Sequence, residues 1–346
     1  MNNLVSRANA AANLRAVAVG LLGGAAFDLL GVPGAYLSGA ILACAALGLA
    51  GVRSLEISPV VRNVALVVLG VVVGTTVTAE TLASLPQWPV SLMALALAMA
   101  ALVVVLPRYF TRVHAIDPST AKLCAIPGAL SVVMALADEL DVDERRVAVL
   151  QSLRLAILMM MVPLMVSAGL GGVTPRPSAP MLAPQLLAML FAASILGALA
   201  ARKLAMPAPF LTGPLIISSF LFGSGTLEGG LPGPLVAAAF VVMGASVGVR
   251  FAGIDRTYLT SCVSASAGGI SIAVALTAAV AWPVAAWLGI PFIQMWLAIA
   301  PGGLDTMIAL ALALGVDPAF VAGHQFVRLI GLFMIVPFLF RGAARS

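Results

Sequence analysis

Residues 127–163 (PGALSVVMALADELDVDERRVAVLQSLRLAILMMMVP) and residues 301–337 (PGGLDTMIALALALGVDPAFVAGHQFVRLIGLFMIVP) align without a gap at an offset of 174 residues. The identities include Pro127/Pro301, Gly128/Gly302, Asp143/Asp317, Gln151/Gln325, Arg154/Arg328 and Pro163/Pro337. Composition alone would repeat leucines, but it would not keep an arginine and a glutamine in register. The same offset relates Pro33-Gly-Ala-Tyr-Leu-Ser-Gly39 to Pro207-Ala-Pro-Phe-Leu-Thr-Gly213, and Gly70/Gly74 to Gly244/Gly248. The chain is one unit written twice, and its fold must be built from two copies of that unit.

Hydropathy says where the copies reside. With 62% hydrophobic and 9% charged residues and a mean hydropathy of +1.13, 346 residues hold too little polar surface to cover a soluble globule. The expectation is an all-α, polytopic membrane protein. The net charge of +5 comes from single or paired Lys and Arg between apolar runs. That is loop chemistry, with no basic face or motif for nucleic acid. Cys44, Cys124 and Cys262 lie in apolar runs without metal or disulfide spacing, so no metal site and no cofactor is expected. The first apolar run follows Arg7 and Arg15 and reads as a first membrane helix rather than a signal peptide.

Runs of about 17–20 apolar residues suffice to cross a bilayer. They fall at 14–31, 34–51, 60–80, 88–110 and 145–170 in the first copy, and at 184–204, 208–224, 232–252, 258–288 and 318–340 in the second. Between the fourth and fifth run of each copy, residues 118–140 and 290–315 are apolar but broken by Pro127-Gly128 and Pro301-Gly302-Gly303. Each is a re-entrant hairpin or a spanning helix unwound at its middle. If both turn back and the N-terminus is cytoplasmic, fifteen Lys and Arg face the cytoplasm and Arg176 alone faces out. Crossing segments would move Arg145, Arg146, Arg202, Lys203, Arg250 and Arg256 outside. The expected organisation is a cytoplasmic tail 1–13, membrane repeat 14–170, linker 171–183, membrane repeat 184–340 and cytoplasmic tail 341–346. Five spans per copy is an odd number, so the second repeat enters the membrane inverted, as in secondary transporters. A half-broken crossing helix in each copy, with one early helix not spanning, is the alternative.

Arg154 and Arg328 approach mid-membrane depth in their helices, where a charge faces a cavity or a partner. Gln151 and Gln325 lie three residues earlier on the same face. Each arginine can tie down carbonyls freed by its break, hold an anionic ligand, or both. Gly128, Ala129, Gly302 and Gly303 open the half-helices whose N–H groups would favour an anion. Ser131 of the first copy is Asp305 of the second, which can bind a coupling ion or proton or pair with Arg328. His324 is a second proton candidate, although a lone histidine is more often structural. The glycine pairs suggest close helix packing. The small-residue run Ser264–Ser271 marks a helix that other groups can approach closely.

The repeated Pro-Gly-x-Leu…Gln-x-x-Arg segments and the Pro-x-x-[Tyr/Phe]-Leu-[Ser/Thr]-Gly motifs resemble those of the bacterial AbrB family of membrane proteins, over residues 15 to 340. That family carries labels of gene-expression regulator and ammonia monooxygenase. Neither activity suits the residues directly. A metal monooxygenase needs clustered His and carboxylate ligands, and a DNA-binding regulator needs a basic soluble module. Pro301-Gly-Gly303 with its Ala/Leu-rich flank is similar, over a shorter stretch, to the interrupted helices of the cation/proton-antiporter and anion-transporter superfamily. The resemblance implies a two-domain transporter with substrate at the crossed breaks, but the paired aspartates of the antiporters are missing. The expected function is transport of a small anionic organic solute across the cytoplasmic membrane, not enzymatic turnover. The expected partners are membrane lipid, the solute, a coupling ion and a second copy of the chain, with no nucleic acid. A membrane sensor or regulator acting indirectly on gene expression is the alternative.

Overall fold

The computed structural model describes residues 2–77, 86, 88–126, 133, 142–166, 180–252 and 256–339. Among them the chain is helical: α1 (Asn2–Leu29), α2 (Ala35–Leu49), α3 (Pro59–Thr75), α4 (Trp88–His114), α5 (Pro118–Ala125), α6 (Glu144–Met165), α7 (Pro184–Lys203), α8 (Pro209–Gly223), α9 (Gly233–Gly248), α10 (Arg256–Leu288), α11 (Phe292–Ile299), α12 (Leu304–Ala313) and α13 (Pro318–Leu339). The described residues hold no named strand, and one isolated bridge joins Met181 to Gly230.

Every expected apolar run is a helix, but the lengths diverge. Six stretches are long and apolar enough to cross a membrane: Ala10–Leu29, Trp88–His114, Glu144–Pro163, Pro184–Lys203, Gly233–Phe251 and Thr257–Leu288. Helices α2, α3 and α8 have only 15, 17 and 15 residues. At 1.5 Å per residue such helices reach about 22–26 Å, short of a hydrocarbon core of about 30 Å. Helix α1 in turn runs through most of the stretch expected as a cytoplasmic tail.

The helix starts are chemically explicit. Ser58 accepts from the Val61 N–H at 3.4 Å with Pro59 at the first helical position, and Asp117 accepts from the Thr120 N–H at 2.9 Å ahead of Pro118. The second break is a true interruption. α11 ends at Ile299, Ala300 is extended, and α12 restarts at Leu304, where Thr306 Oγ1 donates to the Gly303 carbonyl at 2.9 Å.

The chain forms two units that cut across the repeats. One holds Met1–Leu85, Met159–Ile254 and Ile308–Ala319; the other holds Pro86–Leu158, Asp255–Met307 and Phe320–Ser346. Each unit therefore takes a corresponding share of both copies.

In the first unit, α1 packs on α2 and α7 on α8, while across the copies α2 packs on α9 and α3 on α8. The Pro-x-x-[Tyr/Phe]-Leu-[Ser/Thr]-Gly motif builds this arrangement. Gly34 and Ala208 begin their helices in the left-handed region, at φ 66° and 45°, and Ser38 and Thr212 donate back to those residues' carbonyls at 3.2 and 3.1 Å. The motif's last glycine, Gly39 or Gly213, then meets the backbone of Gly23 or Gly197 with no room for a Cβ. Gly70 likewise meets the Leu211 carbonyl and Gly244 the Leu37 carbonyl, so the contacts obey the same offset of 174 in both directions. This bare-backbone packing is how helices associate without a hydrophobic driving force between them.

In the second unit, α4 packs against α5, α10 and α11, and α10 against α11. Trp296, fully buried, donates Nε1–H to Thr277 Oγ1 at 2.9 Å. Large apolar side chains such as Trp282, Trp287 (81% exposed), Met93 and Leu97 face outward, as they would toward lipid.

Candidate functional site

A helix that stops inside an apolar protein leaves its last carbonyls without N–H partners and its C-terminus partially negative. α5 and α11 both stop this way, at the segments cut by the Pro-Gly breaks. Arg154 and Gln151 of α6 answer the first. Arg154 donates Nη1–H to the Cys124 carbonyl at 3.3 Å and Nη2–H to the Ile126 carbonyl at 3.2 Å, and Gln151 donates Nε2–H to the Leu123 carbonyl at 3.2 Å. Nη2 also lies 3.4 Å from Gln151 Oε1, which joins the two side chains.

Arg328 and Gln325 of α13 answer the second. Arg328 Nη1–H goes to the Ala300 carbonyl at 2.6 Å and Nη2–H to the Gly302 carbonyl. Gln325 Nε2–H bonds the Leu297 carbonyl at 2.7 Å and approaches those of Ala298 and Ala300 at 3.3 Å each. Ile126 and Ala300, and Leu123 and Leu297, are again 174 positions apart. One arginine-held carbonyl and one glutamine-held carbonyl thus correspond in the two copies, while the second arginine bond goes back to Cys124 in the first and forward to Gly302 in the second.

Among the described residues the ties join neither guanidinium to a carboxylate. Arg154 and Arg328 are 6% and 3% exposed, and all their bonds go to carbonyls or to an amide oxygen. The Nε of each, and Gln325 Oε1, are buried without a partner among the described residues. Carbonyl dipoles offset part of the cost of a buried cation, and a carboxylate or an anionic ligand would offset more.

The remaining candidates divide. Gly302 and Gly303 sit at the interruption, and a Cβ on Gly302 would run into Met307. Gly128 and Ala129 lie outside the described residues. Asp305 is half-buried in the first turn of α12, where its Oδ1 accepts from the Thr306 N–H at 3.1 Å. A carboxylate there is favoured by the helix dipole, and it is not among the partners of Arg328. His324 is fully buried and turned to α4: Nδ1 lies 2.8 Å from the Phe320 carbonyl and Nε2 2.7 Å from Ser91 Oγ, with the ring against Trp88 and Phe320. The carbonyl can only accept, so Nδ1 carries the proton. Both ring nitrogens are occupied by the protein, as in a structural histidine.

Sequence reasoning missed Ser91, a lone hydroxyl in an apolar run. It also missed the acceptors at Ala300 and Gly302, because every residue carries a carbonyl and none announces which is free.

A family model described as "Transition state regulatory protein AbrB" matches residues 36–344. "Putative regulator AbrB" of Escherichia coli (strain K12) is 24% identical over 319 residues, spanning 90% of this chain and 90% of that protein. "Uncharacterized protein YhjN" of Bacillus subtilis (strain 168) is 26% identical over 248 residues, 65% of this chain and 63% of that protein. Both Gln-x-x-Arg elements and both breaks fall inside the matched stretch, and the chain belongs to the AbrB family.

Proposed function

We propose that this protein is a secondary transporter of the cytoplasmic membrane that carries a small anionic organic solute. The observation that carries the reading is the pair of buried guanidinium groups bonded to the carbonyls at the ends of α5 and α11, each with an Nε donor unpartnered among the described residues. An anion binding there gains charge-assisted hydrogen bonds and compensates a buried charge. The proposed topology has ten spans in repeats 14–170 and 184–340, with the short helices α2, α3 and α8 crossing where the bilayer thins to meet them, a linker at 171–183, two interrupted segments, a second repeat inverted relative to the first, and both termini cytoplasmic. Reciprocal packing such as Gly70 on Leu211 and Gly244 on Leu37 supports two-fold related copies. Asp305, beside the second break, is the proposed site of a coupling ion.

The test is thermal stabilisation of the purified protein by a panel of organic acids, amino acids and simple ions, followed by flux into liposomes. Stabilisation by an anion that Arg154→Gln or Arg328→Gln abolishes supports the reading. Absence of stabilisation by every anion, with both variants only melting earlier, reduces the arginines to structural ties.

The family description and the Escherichia coli relative's name favour a second reading, a membrane sensor that influences gene expression through a protein partner. An expression phenotype that survives loss of all solute flux would select it. Enzymatic turnover forms no part of either proposal.

A further inference from the structure

The two arginines are equivalent by sequence but not by surroundings, and the difference names a ligand class. Both face the helix that begins the second half of a repeat. At Arg154 the facing residues are Ser266, Gly269 and Ile270 of α10, and the space left is about 10 Å³, room for one water. Tyr109 and Phe110 of α4 fill the rest by lying on Gly268 and Gly269, where no Cβ would fit. At Arg328 the corresponding positions of α4 are Leu92, Leu95 and Ala96, and the positions matching Tyr109 and Phe110 are Pro283 and Val284. Among the described residues that line this side there is no aromatic pair. Instead a cavity of about 420 Å³ runs along α4 and α13, lined by residues such as Leu92, Leu95, Ala96, Met99 and Val327, with Arg328 as the one charged residue among the described residues that line it.

That volume is within the usual range for small-molecule pockets, which pair an apolar lining with a few polar groups. We propose that the Arg328 side is the working half of the pair, and that it binds a monoanion with an apolar body: one carboxylate carried on a hydrocarbon chain. This rests on the transporter reading in taking Arg328 as the anion-binding group, and adds to it the class of the solute. Nη1 and Nη2 each give one N–H to Ala300 and Gly302, which leaves Nε–H and one N–H on each terminal nitrogen, enough for the two oxygens of one carboxylate, and the single positive charge balances one anion. The hydrocarbon then lies along α4. The Arg154 side, sealed by Tyr109 and Phe110, keeps the helix-tying role alone.

The experiment is equilibrium binding of straight-chain carboxylates, butanoate to decanoate, to the full chain in phosphatidylcholine nanodiscs, with decanol and phosphatidylglycerol as controls. Affinity is expected to tighten about threefold to fourfold per added methylene until the cavity is full, with decanol much weaker than decanoate. Arg328→Gln should erase the difference between acid and alcohol. Because that variant can also lose its helix tie, Ala100→Phe provides a second arm. Ala100 is exposed and lines the cavity, so the change should leave the unliganded melting temperature in place while flattening the chain-length series. Short hydrophilic acids that bind as tightly as long ones would overturn the proposal and leave the transporter reading standing. Binding by no acid of any length would overturn both. Equal binding of decanol and decanoate, or a response to phosphatidylglycerol alone, would overturn it as well.

Discussion

Gly39 of α2 rests its bare Cα on the backbone of Gly23 of α1, and a Cβ there would fall on the Gly23 carbonyl. Gly213 repeats the contact on Gly197. Because backbone cannot swing aside as a side chain can, Gly39→Ala and Gly213→Ala should each cost about 1–3 kcal/mol and lower the melting temperature in detergent. Gly233→Ala, where nothing stands within 4 Å of the added carbon, should stay within about 0.5 kcal/mol. Equal melting of all three variants would mean the crossing is not tight.

The two arginines should contribute separately. Each substitution by glutamine removes ties to the carbonyls of one helix end, and the two share no partner carbonyl. Each single variant should cost about 1–3 kcal/mol, the usual penalty for buried polar groups left unpaired. Arg154→Gln/Arg328→Gln should then be destabilised by the sum of the singles to within about 0.5 kcal/mol. Denaturation of the four proteins in buffer free of organic anions measures this. A larger departure from the sum would mean that the two helix ends are coupled.

His324 should behave as a strut. His324→Gln loses the bond to Ser91 and the ring packing on Trp88 and Phe320. Ser91→Ala leaves Nε2 without that partner, at about 1–3 kcal/mol for a buried polar group left unpaired. Both should melt earlier while the pH dependence of any flux keeps its shape. Loss of that dependence in His324→Gln alone would restore the histidine as a proton carrier.

The repeat made the helices and the Gln-x-x-Arg pairs legible, because an offset that preserves Arg154 and Arg328 leaves no freedom in the alignment. It could not show that the copies interleave. The periodicity of α2 is the same whether it packs on its own α3 or on α9 of the other copy, and only the near-backbone contacts of Gly70 and Gly244 reveal the exchange. The site was half legible for a similar reason: the donors are side chains with letters, whereas the acceptors at Ile126 and Ala300 are backbone and have none. Even the asymmetry between the arginines was written in the sequence, as Tyr109-Phe110 against Pro283-Val284, but those residues matter only once α4 is laid along α10.

The inversion of the second repeat can be tested at one pair of loops. α4 and α10 are repeat-related and end in left-handed residues at equivalent positions, Ala115 at φ 49° and Gly289 at φ 65°. Both are exposed. In a background in which Cys44, Cys124 and Cys262 are replaced, Ala115→Cys and Ile290→Cys each place one thiol just past those helices. The proposed inverted topology puts the two loops on opposite faces of the membrane, with Ala115 inside. A membrane-impermeant maleimide added to intact cells should then label Ile290→Cys and spare Ala115→Cys until the cells are opened. Labelling of both from the same side would mean the copies are related by an axis along the membrane normal. The two broken segments would then enter from one face, and the proposed inverted-repeat topology would fall.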